Sequence, residues 1–339
     1  MIIGSLSYLS RSGSTLLARI LNEYNEICVT IEGDFPPEII SLKKTSQIYF
    51  KNSKQIQYYY NELLKNTKLK SWNLNLNEIV SQCEQMIFPI SGCQLFELFL
   101  KQYAKKYKPN ASIILYKGNP IMPWEICGFI ESFPNSKNIQ IIRDPRAVYN
   151  SQNKNNDPYT KKPLSISPIQ TAFDWRKSIF FTKKISKKNY YEIKYEDLIN
   201  NNIQIINQLL DFLLVDKKAT KRNGNTFTSL IPSVENKIHK NINKDFIKEN
   251  IEKWKSKLST KEILYLEKFL QNEMLYKGYN VNNESNELVF MFYIEIIKVK
   301  LILFLARIKR IFNGLFKNNR FYLIKLLSKI KYLILKNKA

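Results

Sequence analysis

The sequence predicts an α/β fold of three layers, in which helices flank both faces of a central, mostly parallel sheet. Short apolar runs alternate along the chain with longer segments of helical periodicity, which is the order that parallel strands joined by helices require. Apolar residues make up 44% of the 339 residues, enough for one large core. The first apolar run also leads directly into a Ser- and Gly-containing loop and an amphipathic segment, as a strand–loop–helix unit does.

Five strands are predicted from the apolar runs. They cover residues 2–7, 27–31, 112–116, 139–142 and 190–193. Helices are predicted to begin near Ser14, Gly92, Pro123, Pro145, Ile169 and Asn202. Proline suits the first helical turn because that turn needs no backbone N–H donor. A stripe of 3.6-residue period should pack the first helix on the sheet; it comprises Leu16, Leu17, Ile20, Leu21 and Tyr24.

The loop after the first strand predicts a site for a phosphate-sized anion. Unpaired backbone N–H groups at the start of the following helix would face such an anion. Hydroxyl donors and a positive charge reinforce this prediction; the candidate residues are Arg11, Ser12, Gly13, Ser14 and Thr15.

A second phosphate site is predicted where the strand over 139–142 ends. Arg143 stands at this end, and Ser151 follows eight residues later, two turns into the next helix. An arginine and a hydroxyl in these positions can close on one phosphate from two sides. The two sites together predict a nucleotide with phosphate groups at both ends.

These segments resemble the sulfotransferase family, which transfers a sulfuryl group from 3′-phosphoadenosine 5′-phosphosulfate (PAPS) to an acceptor hydroxyl or amine. The motif spacing is most similar to that of the tyrosylprotein and carbohydrate sulfotransferases. The resemblance implies a P-loop-like fold, with Arg11 and the residues up to Thr15 at the 5′-phosphosulfate and with Arg143 and Ser151 at the 3′-phosphate.

Later segments extend the resemblance to about residue 280. The Tyr-Glu-Asp-Leu sequence that begins at Tyr195 implies a tyrosine that reaches the nucleotide. Lys244 is implied as a further phosphate contact, and Trp254 and Gly278 lie where the family has a tryptophan and a closing glycine. Asp245 stands where the family has a proline, and several serines could serve as the late phosphate contact.

Sulfuryl transfer must neutralise the oxygen that links phosphate to sulfate, and it must remove a proton from the acceptor. Arg11 is the predicted cation at the linking oxygen. Glu32 follows the second strand and is the predicted general base, with Asp34 as the alternative. Lys117 ends the third strand and is predicted to direct its ammonium at the sulfate. The spacing from Arg11 to Glu32 also resembles that in the tyrosylprotein and Golgi carbohydrate sulfotransferases, and Lys117 precedes Arg143 by 26 residues, as the corresponding lysine of the tyrosylprotein enzymes does. His239, the only histidine, is predicted to be a surface or loop residue.

No motif identifies the acceptor, which leaves a glycan, a lipid, a peptide and a small molecule open. Residues 33–90 are less regular and are interpreted as an insertion that lines the acceptor cleft. The Pro-, Asn- and Lys-rich stretch 154–168 is a candidate lid over the nucleotide.

The composition indicates a cytoplasmic protein with anionic partners. The net charge of +24 favours nucleotides, nucleic acid, anionic lipid or acidic glycans, although a general Lys/Asn bias would produce the same excess. The four cysteines form no C-x-x-C pair and accompany one histidine, so no metal site is predicted. The first strand begins where a secretory segment would lie, so a reducing compartment, where PAPS is made, is expected.

Residues 284–339 are predicted to form a basic, amphipathic helical tail outside a sulfotransferase domain over 1–283. Residues 296–339 contain twelve Lys or Arg and no Asp or Glu, interleaved with apolar residues at helical spacing. Charges at Lys298, Lys300 and Arg307 argue against a spanning helix. Helices at the anionic inner face of a membrane and helices packed on the enzyme or on a second subunit are both open, and nucleic acid is a poorer third hypothesis.

Two other classes of protein share part of this pattern. A nucleotide kinase or NTPase would have the same strand–loop–helix, and Asp144 could then bind Mg²⁺, but G-x-x-x-x-G-K-[ST] is missing from the chain. A non-enzymatic protein that binds membranes or nucleic acid would explain the charge but not the pairing of Arg143 with Ser151.

Overall fold

The computed structural model describes residues 1–35, 39, 48–65, 67–118, 123–159, 161–183, 185–216, 225–235, 246–282 and 289–316. The strands are β1 (Ile2–Tyr8), β2 (Ile27–Val29), β3 (Tyr49–Phe50), β4 (Ile90–Ser91), β5 (Ile113–Tyr116), β6 (Lys137–Ile142) and β7 (Tyr190–Lys194). The helices are α1 (Ser14–Leu21), α2 (Ser53–Leu64), α3 (Thr67–Lys70), α4 (Leu76–Glu84), α5 (Gly92–Tyr107), α6 (Pro123–Ser132), α7 (Pro145–Asn153), α8 (Pro168–Thr182), α9 (Tyr195–Asn200), α10 (Asn202–Leu213), α11 (Asn225–Ser229), α12 (Glu249–Glu252), α13 (Thr260–Tyr276) and α14 (Val289–Phe316).

A five-stranded parallel sheet in the order β2-β5-β1-β6-β7 forms the centre of the molecule. The five predicted strands are confirmed as its members. The second strand ends at Val29 rather than at residue 31, because the Ile31 N–H turns away from the sheet and donates to the Tyr103 hydroxyl at 3.1 Å. Because all five strands are parallel, the loops that follow β1, β5, β6 and β7 open on the same edge of the sheet.

The predicted helix starts are confirmed to within one residue. Local capping explains two of them. The Ser91 side chain and Gln94 form a capping box at the start of α5, and the Asp144 carboxylate caps α7 ahead of Pro145. The first helix is shorter than its apolar stripe, since α1 ends at Leu21 and Tyr24 is buried beyond it.

Segment 48–91 is more regular than the sequence predicts, because it forms α2, α3, α4 and the antiparallel pair β3–β4. Two of the four buried residues of α2 are tyrosines, Tyr59 and Tyr60, which lie with Ile56 and Leu63. Tyrosine marks an apolar face less clearly than leucine does. Trp72, which is 1% exposed, joins the insertion to the core through ring contacts with Phe35 and Tyr103.

The core consists of two apolar clusters. The larger surrounds the sheet, and the smaller joins α7, α8, α13 and the start of α14. Phe292 and Val299 of α14 belong to the smaller cluster. None of the helices that the structure describes is both long and apolar enough to cross a bilayer.

Candidate functional site

The loop between β1 and α1 forms a tight turn that depends on a glycine. Arg11 and Gly13 have positive φ angles of 75° and 93°. A Cβ atom at Gly13 would lie 2.4 Å from Cδ2 of Tyr195, so only glycine fits here. This turn directs the first N–H groups of α1 to the edge of the sheet where β6 and β7 also end.

Two arginines and a serine meet at this edge, where the structure brings together the residues predicted for the two phosphate sites. The Arg11 Nε donates to the Ser151 hydroxyl at 2.9 Å. Arg143 donates from Nη1 to the Arg11 carbonyl at 3.2 Å and from Nη2 to the Asn250 carbonyl at 2.6 Å. The Arg143 guanidinium carbon also lies 4.2 Å from the centre of the Tyr195 ring. We call Arg11, Ser12, Arg143 and Ser151 the arginine cluster.

The arginine cluster contains polar atoms that are buried without a partner. Among the described residues, neither the Ser12 hydroxyl nor the Arg143 Nε has a hydrogen-bond partner. Burial, together with the neighbouring charge of Arg143, lowers the pKa of the Arg11 guanidinium. Buried donors and two like charges are costly unless an anion satisfies them, so the cluster is suited to a strongly anionic ligand.

A polar framework holds this edge in place. Glu196, which follows Tyr195, accepts hydrogen bonds from the Asp144 N–H and from the Tyr279 hydroxyl, both at 3.0 Å. The Asp144 carboxylate also forms an ion pair with Arg146 at 2.7 Å. Because Arg146 and the cap of α7 occupy it, Asp144 has a structural role here rather than that of a Mg²⁺ ligand.

A second group of charged residues lies where β2 and β5 end. A bridge between Gly33 and Gly118 continues the β2–β5 pairing and sets Glu32 beside Lys117. The Glu32 carboxylate receives the Lys117 ammonium at 2.9 Å, the Lys68 ammonium at 2.6 Å and the Tyr8 hydroxyl at 2.7 Å. We call Tyr8, Glu32, Lys68 and Lys117 the lysine–glutamate cluster.

The electrostatics of this cluster favour the charged form of Glu32. Burial alone would raise the pKa of the Glu32 carboxyl, but the charges of Lys117 and Lys68 outweigh it and hold the pKa well below its usual range. Burial and the neighbouring Glu32 charge raise the pKa of Tyr8 well above its usual value. Glu32 is therefore a fully ionised but weakly basic carboxylate in this arrangement.

The two clusters are neighbours. Tyr8 is the last residue of β1, three residues before Arg11, and its ring lies 5.0 Å from the Lys117 ammonium. The charge of Glu32 acts on the Arg11 guanidinium and raises its pKa against the two stronger effects. An anion at the arginine cluster would thus lie close to a carboxylate and an ammonium.

Sequence reasoning did not select two members of the lysine–glutamate cluster. Lys68 lies on α3 within the insertion, and no local signal distinguishes it from the other lysines of this lysine-rich chain. Tyr8 is the final residue of a buried strand and reads as core. The predicted residues His239 and Lys244 lie outside the described residues.

Comparison with known proteins identifies the family of this chain. The model of the sulfotransferase family matches residues 7–218, which is more than half of the chain. The chain belongs to the sulfotransferase family, and its general function is sulfuryl transfer to an acceptor. The resemblance noted from the sequence is thereby confirmed.

Solved structures support the same fold. The sulfotransferase domain from the curacin biosynthetic pathway is 20% identical, with a TM-score of 0.51 over 83% of this chain and 98% of its own. The sulfotransferase domain from the Synechococcus PCC 7002 olefin synthase is 18% identical, with a TM-score of 0.52 over 83% of this chain and 95% of its own. The predicted P-loop-like α/β fold is confirmed. A search of curated proteins finds no match.

Proposed function

We propose that PAPS is the sulfuryl donor and that it binds at the arginine cluster without a metal ion. The observation that carries this proposal is a pair of buried donors beside the N-terminus of α1, the Ser12 hydroxyl and the Arg143 Nε, for which the described part of the chain offers no partner. A ligand with anionic groups at two ends matches donors that come from two different strand ends.

Each side of the arginine cluster has its own part in this proposal. Arg11 and the turn through Ser12, Gly13, Ser14 and Thr15 hold the 5′-phosphosulfate. Arg143 and Ser151 hold the 3′-phosphate, for which Arg143 exchanges its contacts with the Arg11 and Asn250 carbonyls. The Tyr195 ring lies against the Arg143 guanidinium and reaches the nucleotide in this proposal, as the resemblance implies. Lys244, implied as a further phosphate contact, completes the proposal.

The lysine–glutamate cluster carries the chemistry in this proposal. Glu32 takes the proton from the acceptor hydroxyl or amine while the acceptor atom forms its bond to sulfur. The bond between sulfur and the linking oxygen breaks, and its electron pair remains on the 5′-phosphate, where Arg11 neutralises it. Lys117 stabilises the sulfate oxygens. The products are the sulfated acceptor and 3′-phosphoadenosine 5′-phosphate.

Glu32 becomes a stronger base when the Lys117 ammonium moves away from its carboxylate. Its pKa is held low by Lys117 and Lys68, so in the arrangement described it binds a proton poorly. A sulfate group competes for the Lys117 ammonium, and each ammonium that leaves the carboxylate raises the pKa of Glu32. Donor binding thereby raises the pKa of Glu32 when the sulfuryl group is in position for transfer.

The remaining properties are proposed from the composition and the described side chains. A reducing, cytoplasmic location is supported by the four cysteines, all of which are free. The acceptor carries a hydroxyl or amine on a glycan, lipid, peptide or small molecule. Lys68 and Trp72 belong to the insertion and lie against Glu32, which supports the proposal that the insertion lines the acceptor cleft.

Calorimetry with 3′-phosphoadenosine 5′-phosphate, AMP and ATP–Mg²⁺ tests the donor assignment. In the presence of EDTA, the bisphosphate should bind at least about 30-fold more tightly than AMP, because only the bisphosphate reaches Arg143. Tighter binding of ATP–Mg²⁺, measured with excess Mg²⁺ and without EDTA, than of the bisphosphate would refute the assignment of PAPS.

A further inference from the structure

Among the residues that the structure describes, helix α14 packs on the enzyme along one side. Phe292 and Val299, two turns apart, are buried in the smaller apolar cluster, and the ring centres of Phe292 and Tyr265 are 5.6 Å apart. The Lys268 ammonium lies over the same Phe292 ring at 5.6 Å. These contacts determine which face of α14 points away from the enzyme.

The outward face of α14 is apolar. At about 100° per residue, residues spaced by three and four from position 290 lie opposite Phe292 and Val299. These residues are all exposed to solvent: Phe290, Ile294, Ile297, Leu301, Phe304 and Leu305. Phe290 is 76% exposed and Ile297 is 66% exposed. Large apolar side chains that are grouped and this exposed indicate an interaction surface.

Basic residues border the apolar face on both sides. Lys298 and Lys309 lie along one border and Lys300 and Arg307 along the other, and all four are exposed. Glu295, the one acidic residue of α14, is partly buried. An apolar stripe between two rows of cations is the pattern of a helix that lies in a lipid–water interface.

The apolar area continues beside the helix. A groove of about 550 Å³ between α8, α13 and α14 is lined by apolar residues that include Phe180, Phe181 and Leu303. Phe180 is 66% exposed. The groove therefore adds apolar side chains beside α14, while its charged lining is mixed, because Asp174 and Glu273 accompany the basic residues.

We propose that the outer face of α14, with Phe180 and Phe181, docks on an anionic lipid membrane, with the helix parallel to the surface. Acidic headgroups would neutralise the two basic borders while the apolar stripe enters the acyl boundary. Residues 317–339 contain seven further Lys or Arg and no acidic residue, which adds attraction to the same surface. The proposal does not depend on the identity of the sulfuryl donor.

A second copy of this chain fits the same face less well. Two α14 helices that met through their outer faces would set the basic borders of one against the basic borders of the other, and like charges at such distances repel. Nucleic acid would satisfy the charges but would leave the apolar stripe in water. Anionic lipid satisfies both features of the surface.

Vesicle sedimentation of the full chain tests this proposal. The protein should sediment with phosphatidylcholine vesicles that contain about 30% phosphatidylglycerol, and it should bind pure phosphatidylcholine at least about tenfold more weakly. Raising NaCl from about 50 to about 500 mM should weaken the binding, because the charges are exposed and screened. Equal binding to both vesicles, or to neither, would overturn the proposal.

Substitutions separate the surface from the fold. Leu301→Asp with Phe304→Asp should reduce sedimentation with anionic vesicles at least about tenfold, because charges enter the apolar stripe. The control Ile203→Asp introduces an aspartate at a 75% exposed residue of α10 and should leave binding unchanged. Unchanged thermal unfolding shows that each variant is folded. Should the double variant keep vesicle binding, or should it abolish a dimer detected by sedimentation equilibrium, the face is not a lipid surface.

Discussion

The arginine cluster and the lysine–glutamate cluster lie at the same edge of one sheet, yet their polar groups are satisfied to different degrees. In the arginine cluster, the Ser12 hydroxyl and the Arg143 Nε are buried without partners among the described residues. In the lysine–glutamate cluster, the Glu32 carboxylate already receives Lys68, Lys117 and Tyr8. The arginine cluster has donors that a ligand can satisfy, whereas a ligand must break an ion pair of Glu32 before that carboxylate can act as a base.

This difference separates binding from catalysis within the proposed function. Unsatisfied donors favour any ligand that brings the matching anions, so the arginine cluster should govern donor affinity. A carboxylate that already pairs with two ammonium groups gains little free energy when a ligand binds, and it is a weak base. The lysine–glutamate cluster should therefore govern turnover. Each of the following substitutions tests one side of that separation.

Glu32→Gln should have the largest effect. The amide cannot accept the acceptor proton, so turnover at saturating PAPS should fall by roughly 10²–10⁴, while donor affinity changes little. Steady-state kinetics and calorimetry measure the two quantities. Asp34→Asn is the matched control and should alter turnover less than about threefold. If Asp34→Asn or His239→Ala caused the larger loss, the base would be that residue instead.

Arg143→Ala should come next and should act on affinity. Loss of a partly buried charge that is assigned to the 3′-phosphate is expected to weaken donor binding by about 2–4 kcal/mol, or roughly 30- to 1000-fold. Turnover at saturating donor should remain close to that of the natural protein. Arg11→Ala, in contrast, should also depress turnover, since Arg11 is assigned to the linking oxygen. Identical, purely affinity-based losses in the two variants would contradict the division between them.

Lys68→Met should change turnover by about tenfold or less at neutral pH, because removing this ammonium raises the pKa of Glu32 and leaves the assigned sulfate contact of Lys117 in place. Lys68 contacts Glu32 but is not assigned to the sulfate, whereas Lys117→Met removes an assigned sulfate contact and should cost more. Lys65→Met changes an exposed lysine of the same segment that pairs with Glu62, so it serves as the control and should leave turnover unchanged. A loss in Lys68→Met that exceeds the loss in Lys117→Met would show that their roles are exchanged.

The smallest expected effect is a difference between two pH profiles. Glu32 must be deprotonated to act, so activity falls as the pH drops through its pKa. The kcat/KM for the donor reports the free enzyme, in which the lysines depress that pKa, and should stay flat from neutral pH down to about pH 5. The kcat reports the complex, in which Lys117 has turned to the ligand, so its acid limb should lie at higher pH. Coincident limbs would show that donor binding does not activate Glu32.

Most of the arginine cluster could be predicted from the sequence because its signals are local. Arg11 and Gly13 lie in a short loop between a strand and a helix, and Arg143 and Ser151 are eight residues apart across one strand end and one helix. Such spacings fix positions through strand and helix geometry alone. The same locality explains why the strands and the helix starts were predicted well.

The lysine–glutamate cluster shows where local signals end. Glu32 and Lys117 could be proposed because each follows an apolar run that forms a strand. Lys68 could not, since it reaches Glu32 only after α2, α3 and α4 have packed through Trp72 against the core. Its role depends on contacts across 36 residues of sequence, and sequence periodicity carries no information about such contacts.

Helix α14 shows the same division between what the sequence predicts and what tertiary packing decides. The sequence by itself determined that this segment would be helical, basic and apolar, because those properties follow from composition and a 3.6-residue period. Only the tertiary structure decided which face is covered, because Phe292 and Val299 pack into the smaller apolar cluster and leave Leu301 and Phe304 outside. A helix with apolar residues on nearly every side has several faces of similar hydrophobicity, and the shape of the surface it meets selects among them.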